Sequence, residues 1–212
     1  MVYPVFLDLR GLRCAVIGGG PASEAKVSAL LDAGAHVVVI GPELTPRLEA
    51  WAAAGRIEVL RRPYRPGDLE GVWLAISASE DQSLTRAAWQ EAEQRRIFFN
   101  AVDDPPHCRF IAGAVYRQGD LVVAVSTSGK APALAVRLRD RIASTLGPEY
   151  AAFLALAGEV REEIARRVPD PEARRAVWYR VVDSDILHRL RRADATGARE
   201  RLWELLREAE QR

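Results

Sequence analysis

Three consecutive glycines, Gly18–Gly20, stand between a short apolar run that predicts a β-strand and a segment that predicts a helix. The series Gly-x-Gly-x-x-Ser is typical of a turn that binds a dinucleotide. Gly18 permits the tight turn, Gly20 lets the backbone approach a pyrophosphate, and the small Ser23 lets the helix lie close to the sheet. Free N–H groups at the start of the helix would face the phosphates, whereas the alternative is a purely structural turn. We therefore predict a dinucleotide site at Gly18, Gly19, Gly20, Pro21, Ala22 and Ser23.

The first hundred residues alternate apolar or β-branched runs with segments of helical period. The predicted strands are Leu12–Ile17, His36–Ile40, Ile57–Leu60, Val72–Ser77 and Ile97–Val102. The predicted helices are Pro21–Ala33, Pro46–Ala54 with Thr45 as its N-cap, and Asp81–Arg95. Strands that alternate with helices predict an α/β protein with a Rossmann-type parallel sheet.

The pattern changes after Asp103. Two runs, Phe110–Tyr116 and Leu121–Val125, predict an antiparallel hairpin, and Ala133–Leu146 predicts a helix. From Glu149 onward the sequence is almost entirely helical, with predicted breaks at Pro169–Pro171 and near Thr196–Gly197. We therefore expect three regions: a dinucleotide-binding domain over 1–112, a small strand-helix module over 113–147 and a helical C-terminal domain over 148–212.

Composition excludes several classes of protein. Of the 212 residues, 49% are hydrophobic and 28% are charged, as in ordinary globular chains and unlike disordered or collagen-like ones. The formal net charge of +1 creates no field that would select nucleic acid as a partner. No stretch approaches the ~18–20 consecutive apolar residues of a membrane span, and the first residues lack the features of a signal peptide, so we expect a cytoplasmic protein. Two cysteines are too few for a disulfide framework or a structural zinc site.

The residues after the second predicted strand bear on the choice of cofactor. An acidic residue at this position usually accepts from the ribose hydroxyls of NAD, and Glu43 lies close to the expected place. The alternative, which is equally well supported, is that Glu43 only places a negative charge at the start of the next helix. No arginine stands at the strand end before Arg47, which favours NAD over NADP.

An acidic pair, Asp103 and Asp104, follows the fifth predicted strand. In open α/β folds ligands bind at the carboxyl ends of the strands, so this pair would face the cofactor crevice. The alternative is an ordinary loop in which Asp103 caps a turn and Asp104 precedes a proline.

Four ordered blocks resemble the siroheme synthase N-terminal family, which comprises precorrin-2 dehydrogenases, some of which are also sirohydrochlorin ferrochelatases. The blocks are PVFLDLRG, VIGGG, NAVDDPPHCRFI and VAVSTSGKAPALAVRLR. The resemblance covers about Tyr3 to Gly147 and weakens in the tail. It implies NAD-dependent dehydrogenation of precorrin-2 to sirohydrochlorin, in siroheme or cobalamin synthesis. The family often has serine before Phe110 and proline near position 113, where this chain has Arg109 and Gly113.

The resemblance places the essential aspartate of the family on Asp103, as a base or substrate anchor at the mouth of the cofactor site. It also implies a substrate ringed with carboxylates. The small residues of the glycine turn after the hairpin would present backbone donors to such an anion, and nearby cations would pair with it. The expected substrate-binding residues are Arg109, Arg117, Thr127, Ser128, Gly129, Lys130 and Arg137.

Metal insertion would require capture of ferrous or cobaltous ion, for which His107 and Cys108 beside the acidic pair are candidates. Adjacent residues of an extended segment point to opposite faces and seldom ligate one ion, so we assign no metal ligand. The small hairpin and the apolar stripes of the tail helices predict a homodimer. Two rival interpretations stay open: a nucleotide-sensing regulatory module, and a dedicated chelatase that merely keeps the glycine turn.

Overall fold

The computed structural model describes the backbone of residues 2–210 and the side chains through residue 208. The chain divides into two compact units, residues 1–112 and 113–212. No helix among the described residues is both long and apolar enough to cross a membrane.

The first unit is built on a five-stranded sheet in the order β3-β2-β1-β4-β5, with every neighbouring pair parallel. Its strands are β1 (Arg13–Ile17), β2 (His36–Ile40), β3 (Glu58–Leu60), β4 (Leu74–Ser77) and β5 (Phe98–Ala101). Its helices are α1 (Pro21–Asp32), α2 (Pro46–Ala53) and α3 (Gln82–Arg95). The strand order reverses between β1 and β4, which is where open α/β sheets bind their ligands. The predicted Rossmann-type fold is confirmed.

The apolar runs of the strands are continuous because both faces of the sheet are covered. Alternate residues enter separate cores: Ala15 and Ile17 belong to one, and Cys14 and Val16 belong to the other. Burial of Cys14 raises the pKa of its thiol to about 11.

Local capping signals decide where two helices of this unit begin. The Thr45 side chain accepts a hydrogen bond from the backbone N–H of Leu48 at 3.3 Å, and Pro46 occupies the first turn, as predicted. Asp81 caps α3 by accepting from the N–H of Ser83 at 2.8 Å. The Thr45 cap depends on neighbours in sequence, which is why the sequence predicts it, whereas the predicted helix over Asp81–Arg95 starts one residue before the true start of α3.

The connection from β3 to β4 contains no helix and is held by polar anchors. Arg62 forms a two-pronged ion pair with Asp68, with both N–O distances 2.7 Å. The Tyr64 hydroxyl donates to the buried carboxylate of Glu91 on α3, which also accepts from the N–H of Gly67 at 2.9 Å. The Arg62 guanidinium holds the pKa of Asp68 below its ordinary value.

The second unit begins with an antiparallel pair, β6 (Ala114–Gln118) and β7 (Leu121–Val125), followed by α4 (Pro132–Ala143). The predicted start of β6 at Phe110 is wrong. Phe110 instead packs against the core of the parallel sheet, and its carbonyl accepts from the Asn100 side chain at 2.9 Å. Gly113 has no room for a side chain, because a Cβ there would lie 2.7 Å from the carbonyl oxygen of Val125.

The remaining helices are α5 (Glu149–Arg167), α6 (Pro171–Val182), α7 (Ile186–Arg191) and α8 (Ala195–Glu210). They share a core that includes Val160, Ile164, Val181 and Leu202. The predicted break at Pro169–Pro171 is confirmed. The break predicted near Thr196–Gly197 is present but lies a few residues earlier, between Arg191 and Ala195, so that Thr196 and Gly197 belong to the first turn of α8. The chain turns earlier, at Ala193 with φ of 60°, and Asp194 accepts from the N–H of Gly197 at 2.9 Å.

Candidate functional site

The glycine turn connects β1 to α1 at the point where the strand order reverses. Gly18 has a φ of 110°, a conformation that side-chain-bearing residues rarely adopt, and its N–H donates to the carbonyl of Ile40 at 2.8 Å. The hydroxyl of Ser23, which is fully buried, donates to the carbonyl of Gly18 at 2.8 Å. The serine therefore closes the turn on itself.

Gly19 and Gly20 are glycines for different reasons. A Cβ on Gly19 would lie 1.9 Å from the carbonyl oxygen of Glu43, so the loop after β2 excludes any side chain there. The Gly19 carbonyl also accepts from the N–H of Thr45 at 3.0 Å. A Cβ on Gly20 would meet nothing within 4 Å. Among the described residues, the N–H groups of Gly19 and Gly20 have no hydrogen-bond partner.

These features fit a pyrophosphate. The open side of Gly20 leaves space that a side chain would fill, and α1 begins there without a side-chain cap. The first N–H groups of a helix have no partner within the helix and carry its positive end, so they are donors for an anion. The residues Pro21 and Ala22 of this first turn are exposed.

The sequence alone did not single out Gly41. A Cβ there would lie 3.1 Å from the backbone nitrogen of Gly19, so the loop after β2 packs backbone to backbone on the glycine turn. The only signal for this role was its position directly after a predicted strand. Glu43, two residues on, has an exposed side chain without a hydrogen-bond or ion-pair partner in the described part of the chain.

Asp103 lies two residues after β5, at the carboxyl edge of the sheet. It is exposed, and its φ of 59° places it in the left-handed region, which aspartate tolerates better than most residues. Such backbone conformations concentrate at functional sites. Two strand spacings separate β5 from β1, or roughly 10 Å, which brings the end of β5 within the span of a dinucleotide bound over β1.

Asp104 is not paired with Asp103 but with His107, whose Nδ1 lies 2.6 Å from a carboxylate oxygen. The His107 ring packs edge-on against Trp89 of α3, with centroids 4.7 Å apart. Between Asp104 and Cys108, residues Pro105–His107 form a 3₁₀ turn. The second acid of the pair thus stabilises its own loop.

Backbone and side-chain bonds tie residues 108–110 to β5. The sulfur of Cys108 lies 3.3 Å from the carbonyl oxygens of both Ala101 and Asp104, which share its one S–H donor, and burial raises the pKa of the thiol. The N–H of Arg109 donates to the carbonyl of Phe99 at 2.7 Å. Within the described residues, no three histidine, cysteine, aspartate or glutamate side chains gather as metal ligands would.

Arg109 is already engaged by α3. Its guanidinium forms an ion pair with Glu93, with Nε 2.6 Å from a carboxylate oxygen. Arg109 would have to exchange this pair for a substrate carboxylate, so it is the least available of the predicted anchors.

In the second unit, a compact turn connects β7 to α4. Ser128 and Gly129 have φ values of 53° and 77°, and Thr127 accepts from the N–H of Ala131 at 3.2 Å through its hydroxyl. Lys130 is exposed. Arg117 on β6 and Arg137 on α4 are also exposed, and across the described chain none of these three cations has an ion-pair partner.

A glycine turn between a parallel strand and a helix, at the reversal point of a five-stranded sheet, defines a dinucleotide-binding protein of the Rossmann class. Three family models match in series: "Putative NAD(P)-binding" over residues 5–114, "Sirohaem biosynthesis protein central" over 118–145, and "Sirohaem synthase dimerisation region" over 149–206. The chain therefore belongs to the siroheme synthase N-terminal family, as the sequence blocks predict.

Curated relatives agree with this assignment. "Siroheme synthase 3" of Aeromonas hydrophila subsp. hydrophila is 38% identical over 196 residues, which are 92% of this chain and 42% of the relative. The siroheme synthase of Methylobacillus flagellatus is 38% identical over 203 residues, or 96% of this chain and 44% of the relative. The chain thus spans less than half the length of these relatives.

A solved structure, "SirC, precorrin-2 dehydrogenase", has the same fold. Its TM-score is 0.78 with 23% sequence identity, and the match covers 96% of this chain and 100% of that chain. At this level of identity the likeness establishes the fold, which includes the helical C-terminal region.

Proposed function

We propose that the protein oxidises precorrin-2 to sirohydrochlorin with NAD as the hydride acceptor. The observation that carries this proposal is the ordered match to the NAD(P)-binding, central and dimerisation regions of siroheme synthases over residues 5–206. Relatives named siroheme synthase and a fold shared with a precorrin-2 dehydrogenase support the same reaction. A nucleotide sensor would have no use for an acid at the end of β5.

NAD, when bound, supplies the oxidised ring that takes the hydride. The residues that would hold its pyrophosphate are Gly18–Gly20 and the first turn of α1, which includes Pro21 and Ala22. Ser23 holds the turn in shape through its bond to Gly18, while the exposed carboxylate of Glu43 is free to accept from a ribose hydroxyl. The unpaired N–H groups of Gly19 and Gly20 would donate to phosphate oxygens.

Dehydrogenation also releases a proton, and Asp103 is the group that would accept or orient it. Within residues 2–208 the carboxylate of Asp103 has no hydrogen-bond partner, and because it lies beyond the carboxyl end of a strand it is available to contact substrate. Asp104 cannot substitute for it easily, because its carboxylate is bonded to His107.

The central region would bind the carboxylates of the tetrapyrrole. Arg117, Lys130 and Arg137 are exposed cations without internal partners in the described residues, and the turn at Thr127–Gly129 presents small residues beside Lys130. Arg109 would join them only by leaving Glu93.

A homodimer is part of the proposal. The matched dimerisation region supports it, and so do the apolar side chains that α4 leaves exposed. A shallow pocket of about 380 Å³ on α6, lined by Trp178 and Tyr179 among others, adds apolar surface within that region.

We keep the division at 112 and 147 into nucleotide, central and helical regions, and the cytoplasmic location, as predictions. Insertion of ferrous or cobaltous ion also stays a prediction, to which we assign no residue.

The test is anaerobic incubation of the full chain with precorrin-2, first with NAD and then with ferrous or cobaltous ion, following NADH absorbance and the product spectrum. We expect sirohydrochlorin and one NADH per turnover. Asp103→Ala should lower kcat by about 10²–10⁴, the range for loss of a positioned acid or base, with dinucleotide affinity unchanged. Asp104→Asn is the matched control and should keep most activity. Full activity of Asp103→Ala would rule out the assigned role, and absence of NADH would refute the reaction.

A further inference from the structure

Three arginines lie around the carboxyl ends of β2 and β3, where a Rossmann fold reads the adenosine ribose. Arg61 and Arg62 directly follow β3, and Arg47 lies in the first turn of α2. Ile40 pairs with Leu60 in the sheet, and the N–H of Gly41 donates to the carbonyl of Leu60 at 3.1 Å. Arg61, the residue after Leu60, therefore lies beside the start of the loop that follows β2. An unoccupied arginine at such a place is the group that accommodates the 2′-phosphate of NADP.

Two of these arginines are neutralised by carboxylates. Arg61 makes a two-pronged pair with Glu49 of α2, at 2.5 and 2.6 Å. Arg62 makes one with Asp68, which is 9% exposed and also accepts from the backbone N–H of Arg65. A two-pronged pair occupies two of the five N–H donors of a guanidinium and compensates its charge, so a phosphate near it would meet an ion pair and not an unpaired cation.

The third arginine is held by an aromatic ring. The guanidinium carbon of Arg47 lies 4.8 Å from the centroid of the Trp51 ring, one helical turn along α2, and that of Arg56 lies 5.7 Å from the same ring. Trp51 thus draws two exposed cations onto the helix surface, within the distance at which the ring attracts a cation. Glu43, by contrast, is an exposed acid with no such partner in the described residues.

We propose that Glu49 and Trp51 are specificity-determining residues of the nucleotide site: by engaging Arg61 and Arg47 they favour a dinucleotide whose adenosine ribose carries a free 2′-hydroxyl. This inference rests on the proposed function, because it concerns the same cofactor site. A 2′-phosphate would meet the unpaired carboxylate of Glu43, two arginines already paired with carboxylates, Arg61 and Arg62, and a third, Arg47, drawn onto the Trp51 ring. A hydroxyl would donate to that carboxylate.

The experiment measures the affinity of the full chain for 5′-AMP and for adenosine 2′,5′-bisphosphate by calorimetry, without any turnover, because these two nucleotides differ only in the 2′-phosphate. We expect the parent to bind 5′-AMP more tightly. Glu49→Gln should bind the 2′,5′-bisphosphate about fivefold more tightly than the parent, because it removes the carboxylate that competes for Arg61, and an exposed ion pair contributes only modestly. Its affinity for 5′-AMP should stay unchanged, and the gain should disappear in high salt. Trp51→Leu should likewise shift the ratio of the two affinities toward the 2′,5′-bisphosphate.

Glu58→Gln is the matched control. It frees Arg13 from an equally exposed pair with the same change in charge, but at the amino ends of β1 and β3, on the opposite edge of the sheet. It should leave both affinities unchanged. An equal gain in this control, no gain in Glu49→Gln, or tighter parental binding of the 2′,5′-bisphosphate would overturn the inference while leaving the nucleotide site intact. Failure to bind either nucleotide would refute the nucleotide site itself and this inference with it.

Discussion

The parallel sheet and the two-stranded sheet differ in what they bury. In the larger sheet, all of β4 and the last four residues of both β1 and β2 are buried. In the smaller one, none of the residues of β6 and β7 is buried. Two strands alone are marginally stable in water, whereas five strands covered on both faces form a complete core. The nucleotide region thus completes its own core, whereas the strands of the hairpin are only partly covered within this chain.

The helices repeat this contrast. Helix α1 buries Ser23, Val27 and Leu30, while α4 buries only Ala135. Leu134, Leu138 and Ile142 follow one another at four-residue spacing on α4 and are 52%, 39% and 38% exposed. Residues four apart share one face of a helix, so α4 carries an apolar stripe. We interpret the stripe as part of the proposed dimer contact.

The largest effect on the nucleotide region should come from Gly19→Ala. A Cβ at 1.9 Å from the Glu43 carbonyl forces the backbone apart, and overpacking of this kind costs about 3 kcal/mol of unfolding free energy. Gly20→Ala is the matched control, since its Cβ meets nothing, and it should change stability by less than about 1 kcal/mol while lowering dinucleotide affinity. Thiol labelling of the buried Cys14 in urea measures the stability of this sheet. Equal stabilities for the two variants would contradict the packing argument.

The second prediction tests whether the exposed apolar stripe of α4 is covered in a dimer. If it is, a charge on the stripe should weaken the dimer more than a charge on another face of α4. Leu138→Asp should weaken dimerisation at least about tenfold, because a carboxylate buried without a partner costs more than the ~1.4 kcal/mol that tenfold represents. Light scattering over a dilution series measures this. Val136→Asp changes a similarly exposed residue on another face of α4 and should dissociate the dimer less. A parent that is monomeric at micromolar concentration would refute the dimer.

Ser23→Ala should have a smaller effect, about 1–2 kcal/mol, because it removes the buried hydrogen bond to the Gly18 carbonyl. Ser28→Ala on the same helix removes a partly exposed hydroxyl and serves as control, with an expected change within about 0.5 kcal/mol. Cys14 labelling again provides the measurement. Identical behaviour of the two variants would show that the serine is chosen for size alone.

The smallest expected effect is on stability and depends on pH, through the ion pair between Asp68 and Arg62. The folded-state pKa of Asp68 is depressed by Arg62, so this pair stabilises the protein above the ordinary carboxyl value of 3.8 and is lost as the pH falls through the folded value. Asp68→Asn should therefore cost up to about 1 kcal/mol at neutral pH, and the difference from the parent should shrink at about pH 3. Urea unfolding followed by circular dichroism tests this. A difference that stays constant with pH would exclude the pair as its source.

Features that depend on residues close together in the sequence could be predicted, and features that depend on contacts between distant segments could not. The strand His36–Ile40 and the strand Leu121–Val125 were predicted to the residue, and the Thr45 cap was correct. These features arise from residue type and from neighbours a few positions away. The start of β6 was wrong because Phe110 prefers the core of the parallel sheet, which its local pattern does not reveal.

The residues of this chain determine, by themselves, an alternation of strands and helices with a glycine turn after the first strand, because strand period, helix period and backbone freedom are local properties. The need for glycine at position 19, the Asp104 bond to His107 and the commitment of Arg61 and Arg109 to carboxylates followed only from the folded chain. The physical reason is that close approach is a property of packing: Gly19 touches the carbonyl of Glu43, and Arg109 touches Glu93, only once distant segments lie against the same sheet.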